Sequence, residues 1–265
     1  MTPAASFTPR TPRWMDAVLS WVYPEVCQLC HEEAAGPSCG YVGPRCQARV
    51  QHLQSPFCNR CGLPFPGAIT HTFTCGNCSE RDLAFESARA AVLAEGPVLD
   101  AIHRYKYSGA RWFQTFLGRL LLEAAVPELV NQNWSMVVPV PLHPVKERER
   151  GFNQATALAL PLATALGIPM RTNLIHRAEP THTQTTLSRG DRAANVDHAF
   201  RAGSNRRHPF PWSAVAQPER IDGANVVVVD DVLTTGATAD SVARQLKRLG
   251  ADRVCVWSVA RATLD

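Results

Sequence analysis

Long apolar runs and a strong excess of charge are both absent from this sequence. No run of apolar residues approaches the roughly 20 that a membrane-spanning helix needs. The net charge is only +4, from 27 basic and 23 acidic side chains, and so mild a balance does not by itself indicate a nucleic-acid or membrane partner. Residues 1–21 lack an uninterrupted apolar segment with a cleavage site, so we expect a cytoplasmic protein with no membrane insertion.

The basic residues are unevenly spread along the 265 residues, a length that fits one large domain or an ordinary domain with a small module. Residues 141–207 hold ten basic and five acidic side chains, a balance of +5, and the remainder sums to −1. An anionic ligand for the middle of the chain would account for this excess. The alternative is a solvated basic surface.

Cysteine is almost confined to one part of the chain. Eight of the nine cysteines lie between Cys27 and Cys78, and without a secretory segment such clustering favours metal binding over disulfides. The later four, in the pattern C-x2-C-x13-C-x2-C, are Cys58, Cys61, Cys75 and Cys78. Each C-x2-C pair turns two thiolates toward one ion, which predicts a tetrahedral zinc site. A metal-free loop is the alternative, but residues 50–80 hold few apolar side chains with which to build a core.

The earlier four cysteines are less regular; they are Cys27, Cys30, Cys39 and Cys46. We expect a second zinc on them, with His31 or His52 as alternatives to one of the sulfurs. Neither set leaves an open coordination position, so both ions are predicted to be structural. The ninth cysteine, Cys255, lies in an apolar strand and is predicted to be buried in the core.

Beyond the cysteines, hydrophobic periodicity predicts alternating strands and helices. The predicted strands are 85–93, 136–140, 226–229 and 254–259, and the predicted helices are 97–105, 111–126, 155–166 and 237–249. Pro139 indicates an edge or terminal position in its strand, and residues 143–152 are predicted to form a loop. Four consecutive valines at 226–229 and the strand–helix–strand unit that they begin favour a parallel sheet covered by helices.

The same patterns divide the chain into three parts. Residues 1–23 are predicted to be a tail, residues 24–82 a cysteine module, and residues 83–265 an α/β domain. Within that domain the segment 201–220 is rich in Arg, Pro and Ser, and we expect it to be a flexible insertion.

The most informative segment follows the valine run. Asp230 and Asp231 stand at its carboxyl end, where two adjacent carboxylates are costly unless they have partners. Residues 234–238, Thr-Thr-Gly-Ala-Thr, then open a helix whose backbone N–H groups can surround a phosphate. A ligand with a phosphate and two vicinal hydroxyls, such as a ribose 5-phosphate, matches this arrangement. The alternative, two acids that cap a helix, explains the acids but not the whole pattern.

Residues 226–238 resemble, at all 13 positions, the signature of the type I phosphoribosyltransferases. Other segments occur in the same order in ComF-family proteins; they are 106–109, 138–144, 150–154 and 184–189, together with Arg192 and Asn195. Over roughly residues 22–262 the chain therefore resembles the ComF family, competence-associated phosphoribosyltransferase-like proteins of bacteria with an N-terminal double zinc ribbon. Similar proteins usually close the first ribbon with a second C-x2-C, whereas position 43 is glycine here.

The resemblance implies an α/β fold of the type I phosphoribosyltransferase kind: a parallel sheet flanked by helices, with a small N-terminal zinc-ribbon module. It also implies phosphoribosyl pyrophosphate as the ligand, bound with Mg2+. The 5-phosphate would lie on Thr234, Thr235, Gly236, Ala237 and Thr238. Asp230 and Asp231 would act on the ribose hydroxyls and on metal-bound waters.

The pyrophosphate needs a second anion site. Four basic residues are proposed for it, namely Lys106, Lys146, Arg148 and Arg150, although a solvated charged loop is the alternative. Arg189 lies in the segment 181–195, which resembles the mobile loop that closes over the substrate in this superfamily. We expect Arg189 to take part in catalysis from that loop; the alternative is a surface loop that merely carries charges.

Three functions follow as expectations. The first is phosphoribosyl transfer, a glycosyl transfer, to an unidentified acceptor. The second, suggested by the competence association and the basic middle, is the handling of single-stranded DNA during uptake, with the sugar-phosphate site vestigial or regulatory. The third makes the zinc module a docking surface for a partner such as a competence helicase.

Overall fold

The computed structural model describes residues 25–65, 67, 72–178, 199–203 and 218–263. Several predicted features lie outside these ranges: the tail 1–23, the closing segment 181–195 with Arg189, Arg192 and Asn195, and residues 204–217 of the insertion. In the described part of the chain, no helix is both long enough and apolar enough to cross a bilayer.

Strands and helices alternate over most of the chain. The strands are β1 (Ser87–Leu93), β2 (Met136–Pro139), β3 (Ile175–Arg177), β4 (Phe200–Ala202), β5 (Asn225–Leu233) and β6 (Arg253–Arg261). The helices are α1 (Pro44–Ala48), α2 (Gly76–Ser79), α3 (Gly96–Tyr107), α4 (Phe113–Leu129), α5 (Pro144–Arg150), α6 (Gln154–Leu166) and α7 (Ala237–Arg248). A short 3-10 helix, Pro37–Cys39, precedes α1.

Four strands form a parallel sheet in the order β1-β6-β5-β2. The four valines of 226–229 are fully buried in β5, between β6 and β2, as their run predicts for a strand covered on both faces. Strand β2 is at the edge and ends at Pro139, which confirms the position inferred from the proline. Strands β3 and β4 form a separate antiparallel pair.

Alternate residues of β5 face two different cores. Val227 and Val229 pack with the apolar sides of α3, α4 and α6. Val226 and Val228 pack on the other face, with α7 and the β3–β4 pair. The sheet is therefore covered by helices on both sides, as predicted from the strand–helix alternation.

The two cysteine sets belong to different cores. Cys27 and Cys46 are buried in the core of α3 and α4, whereas Cys58 and Cys61 are buried in the core of α7. The second set approaches the sheet closely, because a Cβ at position 62 would lie only 2.7 Å from the carbonyl oxygen of Ala88 in β1. The module thus shares its apolar contacts with the sheet on both faces.

One predicted loop and one predicted strand end differ most from the structure. The loop expected over 143–152 contains helix α5, which begins at Pro144 with a hydrogen bond from the Val145 N–H to His143 Nδ1. A proline at the first helical position is favourable, and this helix has no buried residue that would have given an apolar period. Strand β5 also continues past Val229 to Leu233, because β6 pairs with it along that whole length.

Candidate functional site

The loop between β5 and α7 has the geometry of an anion-binding turn. Gly236 adopts a left-handed conformation (φ 78°) at the N-terminus of α7, which side chains with a Cβ rarely adopt. The Thr235 hydroxyl accepts a hydrogen bond from the Ala237 N–H at 3.4 Å. This loop contains the predicted residues 234–238, at the positive end of a 12-residue helix.

Asp230 and Asp231 lie just before that loop, within β5. The Asp231 N–H donates to Asp230 Oδ1 at 2.8 Å. Burial raises the pKa of Asp230 to about 7; the charge of Asp231 adds to the shift, and Lys106 and Arg177 oppose it. At neutral pH this carboxyl is therefore poised between its two protonation states.

Lys106 is placed directly beside the acids. Its Nζ lies 2.9 Å from Asp231 Oδ1, and both side chains are largely buried. The last turn of α3 brings the lysine there, across the carboxyl end of β5. The sequence placed Lys106 with the pyrophosphate; in the structure it is first of all the partner of Asp231.

Helix α5 carries the other predicted cations. Burial lowers the pKa of Lys146, and the nearby charges of Arg177 and Arg150 add to this effect. Arg150 lies over the ring of Tyr107 at 5.0 Å and donates to Gln154 Oε1 at 3.0 Å. Arg148 is exposed on the same helix, and among the described residues no ion pair or hydrogen bond joins it to the acids.

Arg177 is a site residue that the sequence did not indicate. Burial lowers its pKa, and the carboxylate of Asp230 opposes that shift. Its guanidinium also lies over the ring of Phe200 at 5.3 Å. Arg177 lies in β3, which pairs with β4, and no local motif around position 177 indicates that pairing.

A cavity of about 290 Å³ adjoins this group of charges. Arg177 and His176 line it from β3, and Glu147 lines it from α5. Pro139 at the end of β2 and Pro141 just after it form another part of the wall. The cavity is therefore beside the carboxyl ends of the sheet, where parallel α/β proteins place ligands.

The later cysteines form a compact ligand set. The four sulfurs of Cys58, Cys61, Cys75 and Cys78 lie within 4.8 Å of one another. Burial alone would raise the pKa of Cys58, but the backbone N–H groups of Cys61, Cys75 and Arg60 lower it to about 7. Four converging sulfurs, one already biased toward thiolate, fit a structural zinc ion.

The earlier set differs from the prediction. Cys27, Cys30 and Cys46 converge, but the fourth group within 4.8 Å is the carboxylate of Glu33. Cys39 is not among them, and its thiol instead donates to the Gly36 carbonyl oxygen at 3.1 Å. Neither His31 nor His52 belongs to the group, so in the structure Glu33, and not Cys39, lies with the three converging sulfurs.

The fold and the two clusters define an α/β protein with a parallel sheet and an N-terminal double zinc ribbon. The model of the double zinc ribbon domain matches residues 18–79. Competence protein F of Haemophilus influenzae is 30% identical over 82% of this chain and 89% of its own length. The chain belongs to this ComF family of competence proteins.

Other relatives agree with that assignment. DNA utilization protein YhgH of Escherichia coli K12 is 30% identical over 90% of this chain and 97% of its own length. Competence protein ComFC of Bacillus subtilis is 25% identical, with 77% of each chain covered.

Solved phosphoribosyltransferase structures show a more distant likeness. The glutamine phosphoribosylpyrophosphate amidotransferase of B. subtilis matches at 19% identity and a TM-score of 0.35, over 58% of this chain and 30% of that one. Adenine phosphoribosyltransferase of Saccharomyces cerevisiae matches at 18% identity and a TM-score of 0.32, over 57% of this chain and 69% of that one. Scores this low carry no argument about function.

Proposed function

We propose that this chain binds phosphoribosyl pyrophosphate with Mg2+ at the carboxyl end of β5 and transfers its phosphoribosyl group to an acceptor. The observation that carries the proposal is the convergence of two carboxylates, Asp230 and Asp231, with Lys106 and Arg177, directly before the turn of residues 234–238 at the N-terminus of α7. The acids can bind the ribose hydroxyls, the backbone amides can bind the 5-phosphate, and the cations can bind the pyrophosphate. Each of the three parts of this ligand therefore has a matching group.

The 5-phosphate lies on residues 234–238 in this proposal. Backbone N–H groups at the N-terminus of α7 donate to its oxygens, and the dipole of the helix favours the negative charge. Asp230 and Asp231 accept hydrogen bonds from the ribose hydroxyls. Because the pKa of Asp230 is raised to about 7, a cation or hydroxyl donor at this carboxyl favours its ionised form.

The pyrophosphate then faces the cations beside β2. Lys146 and Arg177 are close enough for each charge to affect the other, and desolvation makes such cations effective partners for an anion. In the transfer, the bond from C1 to the pyrophosphate oxygen breaks with its electron pair on the leaving group, and the acceptor forms the new bond to C1. Bound Mg2+ would neutralise part of the charge on the leaving pyrophosphate.

The cavity lined by His176, Arg177 and Glu147 is the proposed acceptor space. Its volume of about 290 Å³ is near the lower end of pockets that hold small organic ligands. Arg177 lines this cavity and is also close enough to Asp230 for the carboxylate charge to affect its pKa. A compact acceptor therefore fits this space better than a polymer does.

Titration calorimetry with phosphoribosyl pyrophosphate and MgCl2 tests the binding step. We expect the Asp230→Asn, Asp231→Asn double variant to lose at least about tenfold in affinity, because charge-assisted hydrogen bonds contribute roughly 1.5–3 kcal/mol each. Asp222→Asn is the matched control, since Asp222 is exposed and pairs with Arg220 at the opposite end of β5. Equal affinity in all three proteins would contradict the proposal. Pyrophosphate release across nucleobases and amines then tests transfer.

The names of the relatives support a second candidate, the handling of single-stranded DNA in competence, alone or with a helicase partner. Competence and DNA utilization are the words that those names contain. The basic excess of residues 141–207 is the feature of this chain that would contact phosphates.

Fluorescence anisotropy with a labelled single-stranded oligonucleotide tests this second candidate. Binding through several phosphates should weaken steeply between about 50 and 200 mM salt. Arg148→Gln removes an exposed cation outside the acid cluster. It should reduce the slope of log affinity against log salt concentration by about the amount of one phosphate contact. A flat salt response, or no binding at low salt, would count against a DNA role and leave the sugar-phosphate site unaffected.

A further inference from the structure

The carboxylate of Glu33 lies among the sulfurs of the first ribbon. One of its oxygens is within 4.8 Å of each sulfur of Cys27, Cys30 and Cys46. Zinc accepts carboxylate oxygen as well as thiolate sulfur, at about 2.0–2.2 Å for oxygen. Three sulfurs and one oxygen from this group make a complete tetrahedral set.

Backbone groups hold the Glu33 carboxylate in place. Oε2 accepts a hydrogen bond from the Arg45 N–H at 2.8 Å, and Oε1 accepts one from the Cys46 N–H at 3.1 Å. The backbone of Glu33 is fixed too, because the Cys27 N–H donates to its carbonyl oxygen at 2.7 Å. Such supporting hydrogen bonds around a ligand orient it toward a metal.

Gly43 explains how the carboxylate reaches the site. A Cβ built at position 43 would lie 2.3 Å from Glu33 Cδ and 2.5 Å from Glu33 Oε1. The backbone at position 43 is ordinary (φ −78°, ψ 166°), so the glycine is needed for space and not for conformation. The side chain of Glu33 therefore fills the place that a side chain at position 43 would occupy.

Cys39 does not compete for this position. Its thiol is 3.1 Å from the Gly36 carbonyl oxygen, within the 3-10 turn that precedes α1. A thiol that donates to a backbone carbonyl three residues back is directed into its own turn. It is also absent from the converging group.

We propose that Glu33 is the fourth ligand of the first zinc site, which then has three thiolates and one carboxylate, while the second site has four thiolates. Glu33 and a side chain at position 43 are mutually exclusive, and a ligand at either position would complete the same set. An oxygen ligand makes the first site the harder of the two, so it should favour Zn2+ over soft thiophilic ions more than the second site does. This assignment is independent of the proposed substrate.

Metal analysis of the full-length protein tests the ligand. We expect Glu33→Ala to lower bound zinc from about two ions per chain to about one after dialysis against a weak chelator. Cys39→Ser is the matched control and should keep both ions. The opposite pattern, loss of an ion in Cys39→Ser but not in Glu33→Ala, would overturn the proposal.

A rescue variant sharpens the test. In Glu33→Ala, Gly43→Cys the space at position 43 is open, and we expect the second ion to return. Substitution with Co2+ should then show stronger sulfur-to-cobalt charge-transfer absorption than the parent, because a thiolate replaces an oxygen. An unchanged cobalt spectrum in Glu33→Ala itself would also refute the assignment.

If Glu33→Ala does not fold, Glu33→Gln decides the matter. Its amide oxygen can keep one of the two hydrogen bonds that the Arg45 and Cys46 N–H groups donate to the carboxylate, while the anionic ligand is lost. We expect release of one ion to a chelator to accelerate at least about tenfold. Release at the parental rate would show that the carboxylate does not bind the metal.

Discussion

Arg261 reaches from the end of β6 to the second zinc ribbon, where its Nη2 lies 3.9 Å from the sulfur of Cys61. Its Nη1 donates hydrogen bonds to the carbonyl oxygen of Leu233, at 3.0 Å, and to that of Thr234. Arg261 is only 1% exposed. A single buried cation therefore joins a cysteine of the ribbon to the backbone at the start of the candidate phosphate-binding turn. We expect a change at the ribbon to affect this turn, and a change at the turn to affect the ribbon.

Replacing Arg261 by Met tests this connection. The variant keeps most of the volume but removes the donor of the Thr234 carbonyl, whereas the Leu233 carbonyl still accepts from the Ala262 N–H at 2.9 Å. We expect a loss of roughly 1–3 kcal/mol in the free energy of unfolding. Binding of inorganic phosphate should weaken as well, because the turn loses its support. Denaturant unfolding and phosphate titration measure the two effects.

Arg253→Gln is the matched control, on the same strand. Arg253 makes an exposed ion pair with Glu86 at the other end of β6, and such pairs contribute under about 1 kcal/mol. If both variants lost the same small amount, the buried link through Arg261 would have no special role.

Asp230 should make stability depend on pH. Burial raises its pKa to about 7, whereas an aspartate in the unfolded chain titrates near 4, at about 3.9. Between these values the folded state binds more protons than the unfolded state, so stability falls as pH rises from about 4 to about 7. Asp230→Asn should remove that fall, and we expect it to be more stable than the parent at pH 8 by roughly 1–3 kcal/mol.

Urea unfolding at intervals from pH 4 to pH 8 measures this difference, which should shrink toward zero at the acid end. Asp222→Asn serves as the control, because Arg220 lowers the pKa of Asp222 by a direct hydrogen bond. That variant should keep the parental decline across the same range. A parallel decline in Asp230→Asn would show that another group causes it.

Lys106→Met should raise the pKa of Asp230 further. Lys106 is the strongest of the charges that lower this pKa, and its ammonium is the partner of Asp231 at 2.9 Å. The pH midpoint of the stability change should therefore move upward, and Mg2+ should stabilise the variant more than it does the parent. Lys247→Met, at the exposed end of α7, should shift neither quantity.

Local patterns were enough to predict the central sheet and the turn that follows it. Four valines need burial on both faces, which only an inner strand supplies, and Pro139 excludes its strand from the middle of the sheet. The place of the acids near the carboxyl end of β5, and of the turn just after it, then follows from the order of the residues. Each of these inferences depends on residues that are neighbours in the chain.

Residues that reach the site across the fold could not be predicted in this way. Arg177 depends on the β3–β4 pairing, and Arg261 depends on where Cys61 of the second ribbon packs against the sheet. Glu33 could not be predicted for a different reason: a carboxylate among surface-type residues gives no metal-binding signal, and its approach to the sulfurs of Cys27, Cys30 and Cys46 is seen only in the folded chain. The positions of Arg177, Arg261 and Glu33 all depend on packing between segments that are distant in the chain.

Loss of zinc from the second ribbon should affect both stability and the candidate site. Cys58 and Cys61 are buried in the core that also contains Phe85, Val228 and Val256, so their repulsion without a metal would loosen the sheet itself. We expect Cys58→Ser to lower the unfolding temperature by at least about 10 °C, since each kcal/mol lost corresponds to roughly 2–4 °C in a domain of this size. Affinity for phosphate should fall in parallel, because Arg261 connects Cys61 to the turn.

The matched control is Cys39→Ser, which alters a cysteine outside both ligand sets and should change neither the unfolding temperature nor the affinity for phosphate. If zinc could be removed with no change in unfolding temperature, the ribbon would be a module that folds apart from the sheet, and its deletion would leave ligand binding intact.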